Sequence, residues 1–220
     1  MKFFSAAMLV LLLLLALSIP AQAQVEFNIG IKGGLNLGTL SLDPETVNPG
    51  VTKSGRTGFM IGAAAEVGFG KMFYAVIEPT YCGHGCQFTQ GSATQTFSYN
   101  YLNLPLLFKV KFLKGMVRPY GFVGPNIGIL LSSSSKVEGA GPGVDGETDL
   151  KNFTEGTDFA IDFGGGAEIN VMPKLGIIAD LRYSLGLSDI NKTPAAQGAQ
   201  TLKIKTRGFQ VLVGAMFHVL

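Results

Sequence analysis

The segment from Tyr101 to Phe112, YLNLPLLFKVKF, alternates two kinds of residue at a spacing of two. Its apolar row consists of Leu102, Leu104, Leu106, Phe108, Val110 and Phe112. Its other row contains Asn103, Lys109 and Lys111. Because successive side chains of a β-strand point to opposite faces, the pattern predicts a strand with two different faces. The segment alone leaves open which face meets water.

The same alternation recurs along the chain and predicts eight antiparallel strands. The predicted strands are, in order, from Glu26, 56–70, 73–81, 101–112, 117–131, from about 159 to 169, 175–188 and a last one ending near Val219. Long connections follow the odd strands, at Gly38–Gly55, Gly83–Gln95, Ser132–Thr157 and Asp189–Lys203. Short turns follow the even ones, and this order is typical of an up-and-down transmembrane β-barrel with extracellular loops and periplasmic turns. We therefore predict an all-β barrel in the cell outer membrane of a Gram-negative organism, with both termini periplasmic.

Charged residues fall in the row opposite to the apolar one when each strand is aligned by its apolar residues alone. The inward residues are Lys32, Glu66, Glu78, Lys109, Lys111, Arg118, Asp162, Glu168, Asp180 and Arg182. A soluble barrel such as a lipocalin shows the reverse arrangement, with apolar residues lining a pocket. Lys205 and Arg207 share the outward register, but they lie at the loop end of the last strand, where headgroups or water can reach them.

An eight-stranded barrel has an interior only wide enough for its own side chains. The five inward bases and five inward acids are therefore expected to form a packed network rather than to line a water channel. Since buried charges need partners, we predict that Arg118 and Arg182 pair with carboxylates of this set. General diffusion through the barrel is not expected.

Aromatic residues of the outward row are layered in a way that predicts two membrane-interface girdles. The turn-end group is Phe27, Phe69, Phe73, Phe112 and Phe217. The loop-end group is Phe59, Tyr81, Phe159, Tyr183 and Phe209. The alternative explanation is the general preference of aromatic residues for strands.

The first 23 residues have the organisation of a signal peptide. Lys2 precedes the apolar run Leu9–Ile19, and Ala21–Ala23 forms a small-x-small cleavage site. The run is shorter than the roughly 20 residues of a membrane-spanning helix, and Pro20 follows it. Residues 24–220 are then one barrel domain. The formal charge of +2 and the lack of a basic cluster argue against a nucleic-acid partner.

Cys82 and Cys86 flank the sequence Gly-His-Gly and are the two cysteines of the chain. Export to an oxidising compartment favours a disulfide between them. In a straight strand they would be about 13 Å apart, so the bridge requires a tight loop at the glycines. A soft-metal site that includes His84, and two free thiols, are the alternatives.

Catalytic residues, cofactors and metals are not predicted. Some small barrels are outer-leaflet hydrolases, and these would need a histidine beside a Ser or Asp at the outer rim. The two histidines are His84, in a predicted outer loop, and His218, at the opposite end.

Four sequence blocks resemble one family: YLNLPLLFK, RPYGFVGPNIG, DFGGGAE and RYSLGLSDI. The first begins at Tyr101 and the last ends at Ile190, and the chain is similar over its mature length to the PorT-like small outer-membrane β-barrel proteins. Phe217 matches the alternating aromatic end of that family, whereas Val219 and Leu220 depart from it. The resemblance implies the barrel fold and, through the namesake, a link to protein secretion that barrel motifs alone do not transfer.

The expected function is therefore a structural or recognition role performed by the four loops. The alternative is an accessory part in a secretion or envelope assembly, and an outer-leaflet lipid-modifying enzyme is the more distant one. Expected partners are outer-membrane lipid, the barrel-assembly machinery during insertion and a protein that binds the extracellular loops.

Overall fold

The computed structural model describes residues 25–43, 50–70, 72–112, 115–193 and 202–219. The predicted signal peptide and most of the 189–203 loop lie outside the described residues. The strands are β1 (Val25–Asp43), β2 (Thr52–Phe69), β3 (Phe73–Ile77), β4 (Thr80–Gln90), β5 (Ala93–Lys111), β6 (Val117–Glu138), β7 (Gly146–Asp149), β8 (Thr157–Met172), β9 (Leu175–Gly186) and β10 (Lys203–His218). One 3-10 turn, Lys151–Phe153, precedes β8.

The strands form a closed antiparallel sheet. Each strand of the wall pairs with the strands at the next positions, and β1 pairs with β10 from Asn28–His218 to Asp43–Lys203, which closes the ring. β3 and β4 follow one another along a single position in the wall, and β7 is added only to the upper part of β6. The wall therefore has eight positions, and the predicted all-β antiparallel barrel is confirmed.

The third wall position is interrupted at Glu78 and Pro79, where the sequence predicts one strand from Phe73 to Tyr81. Proline has no backbone N–H and cannot donate to the ladder. The Glu78 amide donates to the Pro105 carbonyl at 3.2 Å, and the Ala63 amide donates to the Pro79 carbonyl at 3.1 Å. These two bonds keep β3 and β4 in line across the break.

The loop predicted at Gly83–Gln95 is wrong, because these residues belong to the hairpin of β4 and β5. A two-residue turn connects Gln90 to Ala93, and Gly91 adopts a positive φ of 60° there. The predicted loops Gly38–Gly55 and Ser132–Thr157 likewise contain strand residues, in β1, β2, β6 and β7. The alternation that identifies a strand disappears in these parts since polar residues occupy the outward face as well.

The two faces of the wall differ sharply in burial. On β1, Ile31 is 65% exposed to the outside, whereas the next residue, Lys32, is 4% exposed in the interior. The same contrast separates Phe108 from Lys109 on β5 and Leu181 from Arg182 on β9. An apolar belt thus surrounds the barrel, and its charges lie inside. Among the described residues, no helix is long and apolar enough to cross a membrane.

Candidate functional site: the charged barrel interior

The central ion cluster is organised around Glu78, which lies at the strand break. Its carboxylate accepts hydrogen bonds from both Lys32 and Arg182. Lys32 Nζ also lies 2.8 Å from Asp180 Oδ2, and Arg182 lies 3.6 Å from Asp162 Oδ2. All five residues are buried. Two cations and three carboxylates therefore occupy the centre of the barrel.

Neutral groups satisfy the remaining oxygens of this cluster. The Tyr120 hydroxyl donates to Asp180. The Ser184 hydroxyl and the Asn126 amide donate to the two oxygens of Asp162, at 2.6 and 3.0 Å. Hydrogen bonds of this kind offset part of the cost of removing carboxylates from water.

A second ion cluster lies nearer the turn end. Lys109 donates to Glu66. Lys111 lies between two carboxylates, 3.0 Å from Glu66 and 2.6 Å from Glu168. Two cations and two carboxylates therefore alternate in this part of the interior.

Arg118 and His218 complete this cluster at the mouth of the barrel. Arg118 lies 4.0 Å from Glu168, and its side chain is 14% exposed. His218 Nε2 is 3.0 Å from the same carboxylate, and His218 Nδ1 is 2.8 Å from Asn28 Oδ1. Sequence reasoning missed His218 because the histidine lies near the end of the last strand, where no charge partner is close in sequence. Every charged residue predicted to point inward, Arg118 included, forms an ion pair in the structure.

Aromatic rings fill the space between the two clusters. Lys109 lies 4.4 Å from the centre of the Tyr120 ring, and Lys111 lies 4.2 Å from that of Tyr74. Arg182 lies 5.0 Å from the Phe122 ring. Such contacts stabilise cations electrostatically. Tyr120 and Phe122 lie on β6, whereas the cations that they contact, Lys109 and Arg182, lie on β5 and β9.

The loop half of the interior contains an apolar cluster, and the buried carboxylate of Asp158 accepts hydrogen bonds from Ser188 and Thr206 at this end. The apolar cluster contains Leu40, Cys86, Tyr99, Tyr101, Leu130 and Ile190. Phe88, Phe97 and Ile204 pack against it. The ionic clusters are therefore covered by a hydrophobic layer on the loop side.

Cys82 and Cys86 are free thiols, so the predicted disulfide is wrong. Both lie on the continuous strand β4 and are buried, four residues apart along its inner row. The glycines between them allow close approach of other strands rather than a tight loop: a Cβ on Gly85 would lie 2.2 Å from the Phe97 carbonyl oxygen. The straight strand keeps the two sulfurs far beyond bonding distance.

His84 lies between these cysteines in the interior and is 4% exposed. Its Nε2 is 3.2 Å from Cys82 Sγ, and its Nδ1 is 3.1 Å from Asn36 Nδ2. The described residues contain no group of three or more His, Cys, Asp or Glu side chains arranged to hold a metal ion.

The outward aromatic residues lie on both sides of the apolar belt. At the turn end Phe73, Phe112 and Phe217 are 47–57% exposed, while Phe27 and Phe69 are half-buried. In the loop-end group Phe59, Phe159 and Phe209 are exposed, while Tyr81 and Tyr183 are half-buried. The Phe59 and Tyr81 rings lie 5.2 Å apart. The loop-end group does not mark the strand ends. Phe209 pairs with Leu37 of β1, and β1 continues six residues past Leu37.

A closed barrel with an apolar outer wall and a polar interior is the construction of a transmembrane β-barrel. The chain also matches the model of the family described as outer membrane protein beta-barrel domain, over residues 21–192. It belongs to this family, and its location is the outer membrane.

Solved structures with the same architecture share little sequence with the chain. Neisserial surface protein A is 14% identical, with 87% of this chain and 96% of that one covered and a TM-score of 0.51. A major outer membrane protein from Thermus thermophilus is 10% identical, with 89% and 99% covered and a TM-score of 0.51. OprG from Pseudomonas aeruginosa is 13% identical, with 87% and 95% covered and a TM-score of 0.49. No curated protein matches the sequence. At this identity the likeness to the first two structures shows the fold alone.

Proposed function

We propose that the protein is a structural or recognition barrel that anchors a surface-exposed β-extension in the outer membrane, with both termini in the periplasm. The observation that carries the proposal is the closed interior: Arg182, Lys109 and Lys111 are no more than 2% exposed and lie in ion pairs. A lumen filled in this way supports a role at the surface rather than in passage through the barrel.

The loop end supplies a surface for such a role. The β4–β5 hairpin and the upper part of β6 continue beyond the apolar belt, and β7 adds a further strand to β6. All four residues of β7, Gly146–Asp149, are exposed. The sheet therefore presents polar and acidic side chains beyond the level at which the wall is apolar.

The orientation can be tested with two epitope tags. A tag inserted between Gly91 and Ser92 is expected to be stained by antibody on intact cells. A tag placed before Val25 is expected to be stained only after the outer membrane is permeabilised. The opposite staining pattern would exclude the proposed orientation.

Recognition can be tested by shortening the β6–β7 hairpin. Ser135 and Thr148 are direct partners, so an Asn-Gly turn can replace residues 136–147 without moving the strands below. Cross-linking on intact cells, followed by purification in detergent, should recover proteins with the wild type that the shortened variant loses. Lys174→Gln, at the turn end, is the control and should recover the wild-type set. Identical sets from all three would rule out recognition through this hairpin.

The second candidate is an accessory role in a secretion or envelope assembly, as for PorT-like proteins. The four sequence blocks that resemble this family support it. If deletion of the gene removes exported proteins from the medium, and the wild type and the hairpin-shortened variant restore their export equally, this role is favoured. The barrel-assembly machinery is the expected partner during insertion under either role.

An outer-leaflet enzyme is the least supported role. His84 is directed into the interior next to Cys82 and is not at the outer rim. Membrane lipids of cells that carry the wild type or His84→Ala are expected to have the same composition.

A further inference from the structure

Three basic side chains form a row on the outer wall of β10, directly above the apolar belt. Lys203, Lys205 and Arg207 alternate with inward residues and continue the outward row of Phe209 and Val211. Successive members of the row are about 7 Å apart along the strand. We call these three residues the basic stripe.

The basic stripe lacks partners among the described residues. None of its members forms an ion pair with a described carboxylate. The Nε atom of Arg207 is shielded from solvent and makes no hydrogen bond. Asp43 lies opposite Lys203 at the top of the stripe. By contrast Lys136, also at the loop end, bonds to Glu138 at 2.8 Å, and this hydrogen bond raises the pKa of Lys136.

Asp43 lies opposite Lys203, and the Asp189 carboxylate accepts a hydrogen bond from the Ile204 amide at 2.8 Å. The direct partners of Lys205 and Arg207 on the neighbouring strands are uncharged. The direct partners of Arg207 are Thr39 on β1 and Leu185 on β9, and that of Lys205 is Ser41. The part of the stripe next to the apolar belt, Lys205 and Arg207, is therefore a positive region on one side of the barrel, with the hydroxyls of Thr39 and Ser41 beside it. Basic groups and hydroxyls together suit a phosphate group.

The same two strands offer an apolar surface below the stripe. A shallow groove of about 430 Å³ on the outer wall is lined by residues that include Ile31, Val213 and Ala215. It lies about 20 Å along the strand from Arg207. Phe209, 43% exposed, lies between the groove and the stripe. Charge above and apolar surface below match a lipid with a phosphorylated headgroup.

We propose that the basic stripe binds the phosphate of an outer-leaflet lipid headgroup, whose acyl chains lie against β1 and β10. This inference rests on the proposed orientation, which puts the stripe at the outer headgroup level. Each base near a charged headgroup region strengthens binding by about five-fold, so the three together should contribute roughly 100-fold.

The test uses the mature chain in detergent micelles, titrated with lipid A that bears its phosphates. The stripe variant is Lys203→Gln/Lys205→Gln/Arg207→Gln. The control variant, Lys136→Gln/Lys151→Gln/Lys192→Gln, removes the same charge from exposed bases at the same end. The stripe variant should bind lipid A roughly 100-fold more weakly than the wild type, and the control should bind within about two-fold.

Two further probes identify the source of the phosphate. Dephosphorylated lipid A should bind the wild type as weakly as the phosphorylated form binds the stripe variant. Inorganic phosphate should bind at least ten-fold more weakly than lipid A, because it lacks the acyl chains. Equal binding of lipid A by all three proteins, or of both lipid forms by the wild type, would overturn the inference.

The outcome can be separated from that of the proposed function. Heat-dependent migration on gels reports folding in membranes for each variant, and the Gly91–Ser92 tag reports orientation. If the wild type folds with the expected orientation and the stripe variant still binds lipid A normally, only the stripe inference fails. If the tag is stained only after permeabilisation, the proposed orientation is wrong, and the stripe inference that rests on it is wrong as well.

Discussion

At the scale of single residues, the interior depends on cations that each serve several carboxylates. Arg182 contacts both Glu78 and Asp162, and its side chain is 1% exposed. Lys32 is the second cation on Glu78, whereas Asp162 has no other cation within ion-pair distance among the described residues. Removing Arg182 would therefore leave a buried carboxylate without a charged partner, which costs more than the pair itself contributes.

We expect Arg182→Met to lower the free energy of unfolding by about 3–5 kcal/mol. Arg118→Met is the matched control, because Arg118 reaches its carboxylate only at 4.0 Å from the partly open mouth. It should cost about 1 kcal/mol or less. Denaturant titration of both variants in lipid vesicles measures the difference. Equal losses of unfolding free energy in the two variants would contradict the greater importance of Arg182 for the central cluster.

Two adjacent glycines on β1 allow a second comparison. A Cβ on Gly34 would lie 2.0 Å from the Val211 carbonyl oxygen and 2.8 Å from Leu212 Cα, whereas a Cβ on Gly33 would find its nearest atom at 3.6 Å. Gly34→Ala must therefore shift the β1–β10 pairing that closes the barrel, at a cost of about 1–3 kcal/mol. Gly33→Ala should stay within about 0.5 kcal/mol. Unfolding titrations of the pair test this, and a larger loss for Gly33→Ala would contradict the close approach.

At the scale of strands, the part beyond the apolar belt is built differently from the part within it. β1 pairs on both sides, with β2 and β10, over most of its length. β7 pairs on one side only, and its four residues are all exposed. Local opening should therefore be much easier at β7, since few buried contacts hold it.

Amide hydrogen exchange should show this difference directly. Residues 146–149 are expected to exchange well before residues 28–36 of β1, by at least about ten-fold in rate. Mass spectrometry of peptides from the folded barrel in micelles measures both segments, and the denatured chain gives the unprotected reference. Equal protection of the two segments would show that β7 is held by contacts other than its pairing with β6.

At the scale of the whole molecule, the filled interior predicts that the barrel does not conduct ions. Two ion clusters and a loop-side apolar layer of Tyr99, Tyr101 and Leu130 follow one another along the axis. Reconstitution into planar bilayers should give no regular conductance steps, while an open diffusion porin in the same bilayer gives them. Reproducible steps from the purified wild type would show that the side chains leave a continuous path.

Much of this architecture was readable from the sequence because alternation is a local property. The rows of β5, β9 and β10 could be assigned from a few neighbouring residues each, and this identified the inward charges. The loop 83–95 was misread for the same reason: outside the belt, polar residues occupy both faces, and the period of two no longer separates them. The same misreading led to the predicted disulfide. Cys82 and Cys86 are held apart because β4 is a continuous strand there, and the glycines between them do not form a tight loop.

By itself the sequence determined which side chains point inward and which meet the membrane, since that depends only on the two-residue period of a strand. The tertiary structure alone decided which charges meet: Lys32 bonds to carboxylates 46 and 148 positions away, and Arg182 to one 104 positions away. Such partners depend on how far each strand is shifted against the next around a closed ring. No local pattern records that shift, so the partners within the two ion clusters are decided only when the barrel closes.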